Sequence, residues 1–353
     1  MKGIILHGGS GTRLRPFTYT DVKQLLPVAG KPISEYALEN LLEVGVNDVN
    51  IVIGSVGGNE VKNYYGNGEK WGVNITYTYQ EKPLGIAHAI GLTKDFVGND
   101  NFIVFLGDNY LNDGISSLYD AYNSDEMDGM LALAKVNNPS QFGIAEVREG
   151  KIVKLTEKPK EPKSDLAIAG VYFLKSEVFD VISRLQPSKR GEYEITEAYQ
   201  DMINNGKRIG YSIVTGWFKD TGTVDDFLEC NRLVLDKISN YPLSVKKNIS
   251  GRVLIDSSAS ISENSAILGP CYIGPNAIVN NCYIGPFTSI SANCKVDNAD
   301  IEDSILMDGA KIDLSSSVTI RKSIIGPNAS VIVGKDPKKV IRLILGRDSS
   351  VEL

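Results

Sequence analysis

Histidine is nearly missing from this chain: two residues in 353, His7 and His88. Neither sits in an evident nucleophilic arrangement, so a histidine-driven covalent mechanism is not expected. Cysteine is also scarce, at four residues, Cys230, Cys271, Cys282 and Cys294, with no CxxC pair. That excludes the usual zinc spacings, and the four read as small buried residues in a reducing compartment. No excess of positive charge exists: the net charge is −6. A general nucleic-acid binder needs a basic face, so none is expected here. No apolar run approaches the ~20 residues that span a bilayer. One lysine and then Gly-Ile-Ile-Leu precede the first glycines, too short a stretch for a signal peptide. The expectation is a cytoplasmic protein with no membrane and no nucleic-acid partner.

What is present is ordinary for a globular protein, with 42% hydrophobic and 23% charged residues. The length suggests two domains. Up to about residue 240, strand-like and helix-like patterns alternate. Ile51-Val52-Ile53, "NITYTY" (74–79) and "FIVFL" (102–106) read as strands, the last apolar throughout, as in a strand covered on both faces. "SEYALENLLEV" (34–44), with Ser34 as N-cap, and "IAHAIGLTKDF" (86–96) read as helices. This alternation predicts an α/β domain with a mainly parallel sheet. After about residue 240 the helical pattern stops. Aliphatic residues recur every sixth position, at Ile255, Ile261, Ile267, Ile273 and Val279. A second row reads Ile278, Ile284, Ile290, Val296, and a third Ile312, Val318, Ile324. "IGP" recurs at 273–275, 284–286 and 325–327, and glycine or asparagine marks the corners. Hexapeptide repeats of this kind predict a parallel β-helix whose aliphatic residues point inward. The pattern slips near 297–311, where a loop or an irregular coil is expected, and 340–353 reads as a closing coil. The expected domains are therefore 1–240 and 241–353.

The first strand, Ile4-Ile5-Leu6, runs into "HGGSGTRLRP". In open α/β sheets ligands bind at the carboxyl ends of strands. Glycine lets a ligand approach the backbone, and backbone N–H groups with an adjacent arginine make a phosphate cradle. The loop is neither a Walker A sequence nor GxGxxG. By itself it fits a polyphosphate site or a tight turn with solvated arginines.

"GGSGTRLRP", followed by "KQLLPVAGKP" (23–32), resembles the signature of the sugar-1-phosphate nucleotidylyltransferases, in the long form that ends in a β-helix. "GDN" (107–109), "FGIAEV" (142–147), "EKPKEPKS" (157–164), "AGVYF" (169–173), "RGEYEIT" (190–196) and "DTGT" (220–223) continue the resemblance in order. It implies a Rossmann-like nucleotidyltransferase sheet and a left-handed β-helix. It also implies a reaction: a sugar 1-phosphate attacks the α-phosphorus of a nucleoside triphosphate and pyrophosphate leaves. The attacking phosphate oxygen is already ionised near neutral pH. Catalysis then needs positioning and charge, not a general base.

By the same resemblance Arg13 faces the departing phosphates and Lys23 contacts phosphates at the same centre. Leu6, Gly8, Gly9, Gly11, Thr12, Gln80, Gly85 and Asp108 belong to the nucleotide site, Gln80 and Gly85 reading the base. A glutamine amide can both donate and accept, as an imide edge requires. Lys158 holds the sugar phosphate, with Gly143, Glu157 and the backbone around Ile168 on the hexose. Asp108 and Asp220 are the carboxylates of a Mg²⁺ site. Taken alone, Asp220 before Thr-Gly-Thr also reads as a helix cap. Two departures from the family pattern are Asp21-Val22 ahead of Lys23 and His7 in place of alanine. His88 reads as a packing residue, and Glu194 as more structural than Glu192.

The substrates implied are dTTP or UTP and glucose 1-phosphate. Another sugar 1-phosphate, such as N-acetylglucosamine 1-phosphate, stays open. So does a non-catalytic regulatory homologue, though Arg13, Lys23, Asp108, Lys158 and Asp220 are all present. An acetyltransferase on the β-helix would use a histidine base, and residues 89–353 contain none. The coils are read as an oligomerisation element, giving a homo-oligomer. All the chemical residues precede position 240, so a chain ended there is expected to retain some nucleotidyl transfer.

Overall fold

The computed structural model describes residues 1–8, 11–237, 248–314, 318–332 and 340–352. Its Cα packing divides the chain into two compact units. One comprises 1–10 and 34–220; the other comprises 11–33 and 221–353.

The first unit is built on a nine-stranded mixed sheet. Its strands are β1 (Lys2–His7), β2 (Asp48–Ile53), β3 (Asn74–Tyr79), β4 (Phe102–Leu106), β6 (Gly129–Lys135), β7 (Gly143–Arg148), β8 (Lys151–Glu157), β9 (Leu166–Leu174) and β10 (Ile209–Ile213). A separate two-stranded ribbon pairs β5 (Asn109–Leu111) with β11 (Phe218–Asp220). The block β3-β2-β1-β4 is parallel, as the alternating pattern predicts. Beyond it β9 runs antiparallel to β4, β6 and β7, so the sheet is mixed and not parallel throughout.

Both faces of the parallel block are covered, which is why "FIVFL" is apolar at every position. Ile4, Leu6, Phe102 and Val104 join a core with α3 (Ile86–Gly91), α6 (Val178–Ile182) and α7 (Ile195–Asn204). On the other face a Cβ at Gly3 would lie 2.9 Å from Leu41 Cδ1 in α1 (Ile33–Glu43). Two helix expectations need correction. Ser34 is not the N-cap of α1. It lies inside the helix, fully buried, sharing a 2.6 Å hydrogen bond with the Tyr65 hydroxyl. The helix expected over 86–96 is broken into α3 and α4 (Lys94–Val97), with Thr93 Oγ1 donating to the Ile90 carbonyl at 2.7 Å.

β1 lies between β2 and β4, and the sheet grows outward from it in both directions. Its carboxyl end is therefore the topological switch point of the parallel block. His7 and Gly8, Gln80 after β3, and Gly107-Asp108 after β4 all leave the sheet at that edge.

The second unit contains three six-stranded parallel sheets. Ile249, Ile267, Ile284, Ile301 and Ile320 pair in one row. Ile255, Ile273, Ile290, Leu306 and Ile325 form the second, and Ile261, Val279, Val296, Ile312 and Val331 the third. Chain order visits the sheets in rotation, so this is a three-sided β-helix with the expected core. Ile278 and Ile324 are the exceptions in the predicted rows: Ile278 is exposed beside inward Val279, and Ile324, though buried, lies outside the coil core, its neighbour Ile325 taking the inward position. The slip near 297–311 is not an interruption. All three sheets continue, and Ile290 pairs with Leu306 across a turn shorter than the one joining Ile255 to Ile273. Corner residues Asn276, Asn281, Asn293, Asn298 and Asn328 have φ between 53° and 57°, the left-handed region that asparagine tolerates. Residues 340–352 supply the last strand of each sheet, as expected of a closing coil. All four cysteines are free and buried. Among the described residues no helix is long and apolar enough to cross a membrane.

Helix α8 (Val224–Asp236) and the segment 11–33 belong to this second unit. Asn231 of α8 is fully buried. Its Oδ1 accepts from Ala29 N (2.9 Å) and Ser289 Oγ (2.7 Å), and its Nδ2 donates to the Phe287 carbonyl (3.1 Å). Pro27–Val28 and Lys31–Pro32 form a hairpin around Ala29-Gly30, and any Cβ at Gly30 would run into the Tyr272 ring. Asp21, one of the departures in sequence, forms an ion pair with Arg347.

Candidate functional site

At the switch point of the first unit, Leu6 is buried in β1 between Val52 and Leu106. Gly8 follows; a Cβ there would lie 3.6 Å from Gln80 Oε1. Gly9 lies outside the described residues. Gln80 is buried, and its Nε2 reaches the Gly85 carbonyl (3.4 Å) and His88 Nδ1 (2.9 Å). Gly85 has φ 105°, a region open to glycine, and its Cα faces the Tyr193 backbone. These contacts correct the reading of His88 as packing only: it is bonded to the residue assigned to the base.

His7 is buried, edge-on to Tyr65 at 5.9 Å. Neither ring nitrogen has a hydrogen-bond partner among the described residues. Burial pulls its pKa down to about 3, against the opposing pull of Asp108, so the ring is neutral.

Asp108 follows β4. Asn109, next in the chain, pairs directly with Asp220 across the β5–β11 ribbon. The register thus brings the two carboxylates expected at a metal to adjoining positions, although they are over a hundred residues apart in sequence. Asp220 is not a helix cap: Thr223 caps α8, accepting from Asp226 N at 3.2 Å in a capping box. The ribbon is anchored by Asn109, whose Nδ2 donates to the Ala169 carbonyl (3.2 Å). Gly170 has φ 71°, and a Cβ there would strike the Asn109 amide. The register of β9 against β6 shifts between Ile168 and Tyr172 at this point. Among the described residues no group of three or more His, Cys, Asp or Glu is gathered for a metal. A two-carboxylate set is the kind Mg²⁺ uses when phosphate oxygens and water complete its shell.

The residues expected at the hexose also converge. Glu157 pairs with Gly143 across β7 and β8. A Cβ at Gly143 would lie 3.0 Å from Glu157 Oε2 and 3.3 Å from Ile168 Cδ1. Burial and then the neighbouring Glu194 push the Glu157 pKa upward. Arg190 Nη1 lies 3.5 Å from Glu157 and 3.2 Å from Glu194, and its Nη2 is 2.9 Å from Glu192. Arg190 was not singled out from sequence, though it stands inside "RGEYEIT". Glu194 is buried and also accepts from Ser188 Oγ at 2.8 Å, in keeping with a structural role. Lys158 leaves β8 at φ 40°, its N–H donating to the Phe142 carbonyl at 3.0 Å.

The second unit carries the remaining candidates. Gly11 has φ 56°, and its carbonyl accepts from Thr18 Oγ1 at 2.7 Å. Thr12 and Arg13 are exposed on a short 3₁₀ turn. The Arg13 guanidinium covers Gly222, where a Cβ would lie 2.9 Å from Nη2. Lys23 opens the 3₁₀ turn Lys23–Leu25 and is buried. The segment bearing these residues packs on the coils through Gly30 against Tyr272 and Asp21 with Arg347, and on α8 through Ala29 with Asn231, so it is held in part by residues beyond 240.

The nucleotidyl transferase family model matches residues 2–237, and the GMPPB C-terminal domain model matches residues 267–352. A low-salt glycan biosynthesis nucleotidyltransferase, Agl11 of Haloferax volcanii, is 41% identical over 373 residues, covering 100% of both chains. A glucose-1-phosphate thymidylyltransferase of Streptomyces antibioticus is 40% identical over 358 residues, covering 100% of this chain and 99% of its own. A crystal structure of a candidate glucose-1-phosphate thymidylyltransferase from Bacillus anthracis, with sucrose, is 39% identical. It superposes with a TM-score of 0.63 over 69% of this chain and 97% of its own.

Proposed function

This chain belongs to the nucleotidyl transferase family, and we propose from that premise that it transfers a nucleotidyl group from dTTP or UTP to glucose 1-phosphate, releasing pyrophosphate. The observation that carries the reading is the β5–β11 register, which sets Asp220 against Asn109, beside Asp108. Those carboxylates would hold Mg²⁺, which supplies charge neutralisation on the phosphates when bound.

The chain's own residues do the rest. Arg13 and Lys23 carry positive charge for the triphosphate and its leaving group. Lys158 holds the incoming sugar phosphate, whose ionised oxygen needs no base. Glu157 accepts hydrogen bonds from sugar hydroxyls; its depressed acidity and its contact with Arg190 keep it in a shared polar cluster with Glu192 and Glu194. Gln80 reads the base. Residues 1–240 are assigned to nucleotidyl transfer and 241–353 to assembly into a homo-oligomer.

The test is pyrophosphate release from a panel of dTTP, UTP, dCTP, ATP and GTP crossed with glucose, galactose and N-acetylglucosamine 1-phosphates, with and without Mg²⁺. The expected result is the highest kcat/KM for dTTP or UTP with glucose 1-phosphate, and none without the metal. Highest efficiency with N-acetylglucosamine 1-phosphate would move the sugar assignment. No release with any pair would leave the non-catalytic reading.

A further inference from the structure

The stretch from Gln80 to His88 is fixed more tightly than base contact alone requires. Tyr193 N donates to the Leu84 carbonyl (2.7 Å) and Ala87 N donates to the Tyr193 carbonyl (3.1 Å). Gly85 is pressed between them: a Cβ there would lie 2.6 Å from Tyr193 O and 2.8 Å from Tyr193 N. The Gly85 carbonyl therefore has little freedom. His88, in the first turn of α3, stacks on the Tyr193 ring with centroids 6.0 Å apart and planes inclined by 26°.

Gln80 Nε2 meets both groups, the Gly85 oxygen at 3.4 Å and His88 Nδ1 at 2.9 Å. A carbonyl oxygen can only accept, so the end of the amide facing it is the NH₂. The second amide hydrogen then goes to His88 Nδ1. That nitrogen can accept only when the ring is neutral with its proton on Nε2. Burial lowers the His88 pKa, which favours the neutral ring. Both hydrogens of the amide are engaged within the protein. What Gln80 turns toward Gly8 and the start of the glycine loop is its oxygen, an acceptor.

We propose that His88 is a positioning residue for base selection: it locks the Gln80 amide so that Oε1 faces the nucleotide, selecting pyrimidines that carry an N3–H over cytosine. Thymine and uracil donate from N3 to that oxygen. Cytosine presents a lone pair at N3, and two acceptors then oppose each other. A buried site built for one hydrogen-bond polarity rejects the other strongly, because the unpaired group keeps its desolvation cost. Without an acceptor at position 88 the amide can turn over and offer its NH₂ instead, and the discrimination falls. The inference rests on the assignment of Gln80 to the base in the proposed function.

The experiment uses the full-length chain with His88→Leu and His88→Asn. Asparagine can place Oδ1 where Nδ1 stands, so it restores an acceptor without an imidazole; leucine restores none. Equilibrium binding of dTTP and dCTP is measured by calorimetry, and kcat/KM for both with glucose 1-phosphate. His88→Leu should lower the dTTP-to-dCTP ratio by about tenfold or more, through weaker dTTP and stronger dCTP, while His88→Asn stays within about threefold of the parent. An unchanged ratio in His88→Leu overturns the proposal. So does equal loss in both variants, which would mean that the imidazole matters only for packing. Binding decides the matter even if no substrate pair turns over, so failure of the proposed activity and failure of the His88 role are read separately.

Discussion

Replacing Asn231 with leucine isolates what ties the Lys23 segment to the coils. The two side chains have the same branching and heavy-atom count, so no cavity opens; beside the slightly greater bulk of the methyl groups, the cost is polar. Three hydrogen bonds disappear, to Ala29 N, Ser289 Oγ and the Phe287 carbonyl. The Ser289 hydroxyl can rotate toward another acceptor. The two part-buried backbone groups cannot, and each one orphaned costs up to about 1–3 kcal/mol. The expected loss is at most about 2–6 kcal/mol, or a fall in Tm of about 4–24 °C for a domain of 150–250 residues. Thermal melting followed by circular dichroism measures it. Because Ala29 is in "KQLLPVAGKP", the KM for the triphosphate should also rise at temperatures well below the melt. Asn231→Asp is the control. It keeps an acceptor for Ala29 N but turns a second oxygen on the Phe287 carbonyl. Protonation restores a donor there, so the fold raises this carboxyl's pKa: the variant should approach the parent below about pH 4 and lose stability as pH rises from there through the raised folded-state value. A Tm within about a degree of the parent for Asn231→Leu would refute the reasoning.

Further outcomes follow from the site. Asp108→Asn and Asp220→Asn should each reduce turnover by orders of magnitude with unchanged melting; near-normal rates at saturating Mg²⁺ would remove that residue from the metal. Lys158→Ala should chiefly raise KM for the sugar phosphate and Arg13→Ala that for the triphosphate, and steady-state kinetics with each substrate varied would expose a reversed assignment. Gly170→Ala should lower Tm and turnover together, since its Cβ would displace the Asn109 amide that anchors the ribbon; normal turnover would show that the ribbon tolerates the shift. A chain ended near residue 240, which the sequence alone leads one to expect to retain some transfer, should instead lose activity as well as its oligomeric state, because the segment bearing Arg13 and Lys23 packs on the coils. Retained transfer, measured by pyrophosphate release, would show that the segment holds its shape alone.

Much of this architecture is local in origin and could be read locally. "NITYTY" and "FIVFL" coincide with strands to the residue. The six-residue aliphatic period fixed the three-sided coil, because each inward position repeats a face at a time. Where two aliphatics stand together, as at Ile278-Val279, the period alone does not choose; pairing of Val279 with Ile261 and Val296 does. Ser34 read as a cap because its composition suits one, but Tyr65 gave its hydroxyl a buried partner within the helix. What sequence left hidden is non-local. Ala29 and Asn231 are 202 residues apart, and Asn109 meets Asp220 only through a strand register. His88 was legible as a helix residue, but its bond to Gln80 depends on how Tyr193 fixes the loop between them.

The rotation of the coils through three faces gives the second half of the chain something like a reading frame. Ile255, Ile261 and Ile267 fall on successive faces, and Ile273 returns to the first. Removing six residues would carry every later segment round by one face with its aliphatics still inward, whereas removing three would put corner asparagines such as Asn276 and Asn293 where inward aliphatics belong. Removing a whole turn would leave each face in phase and shorten the stack by one storey. The shorter turn from Ile290 to Leu306 shows where slack is available: residues can be trimmed at a corner while the strands on either side keep their partners. Length in this half is therefore quantised by the face, with small remainders absorbed only at the bends.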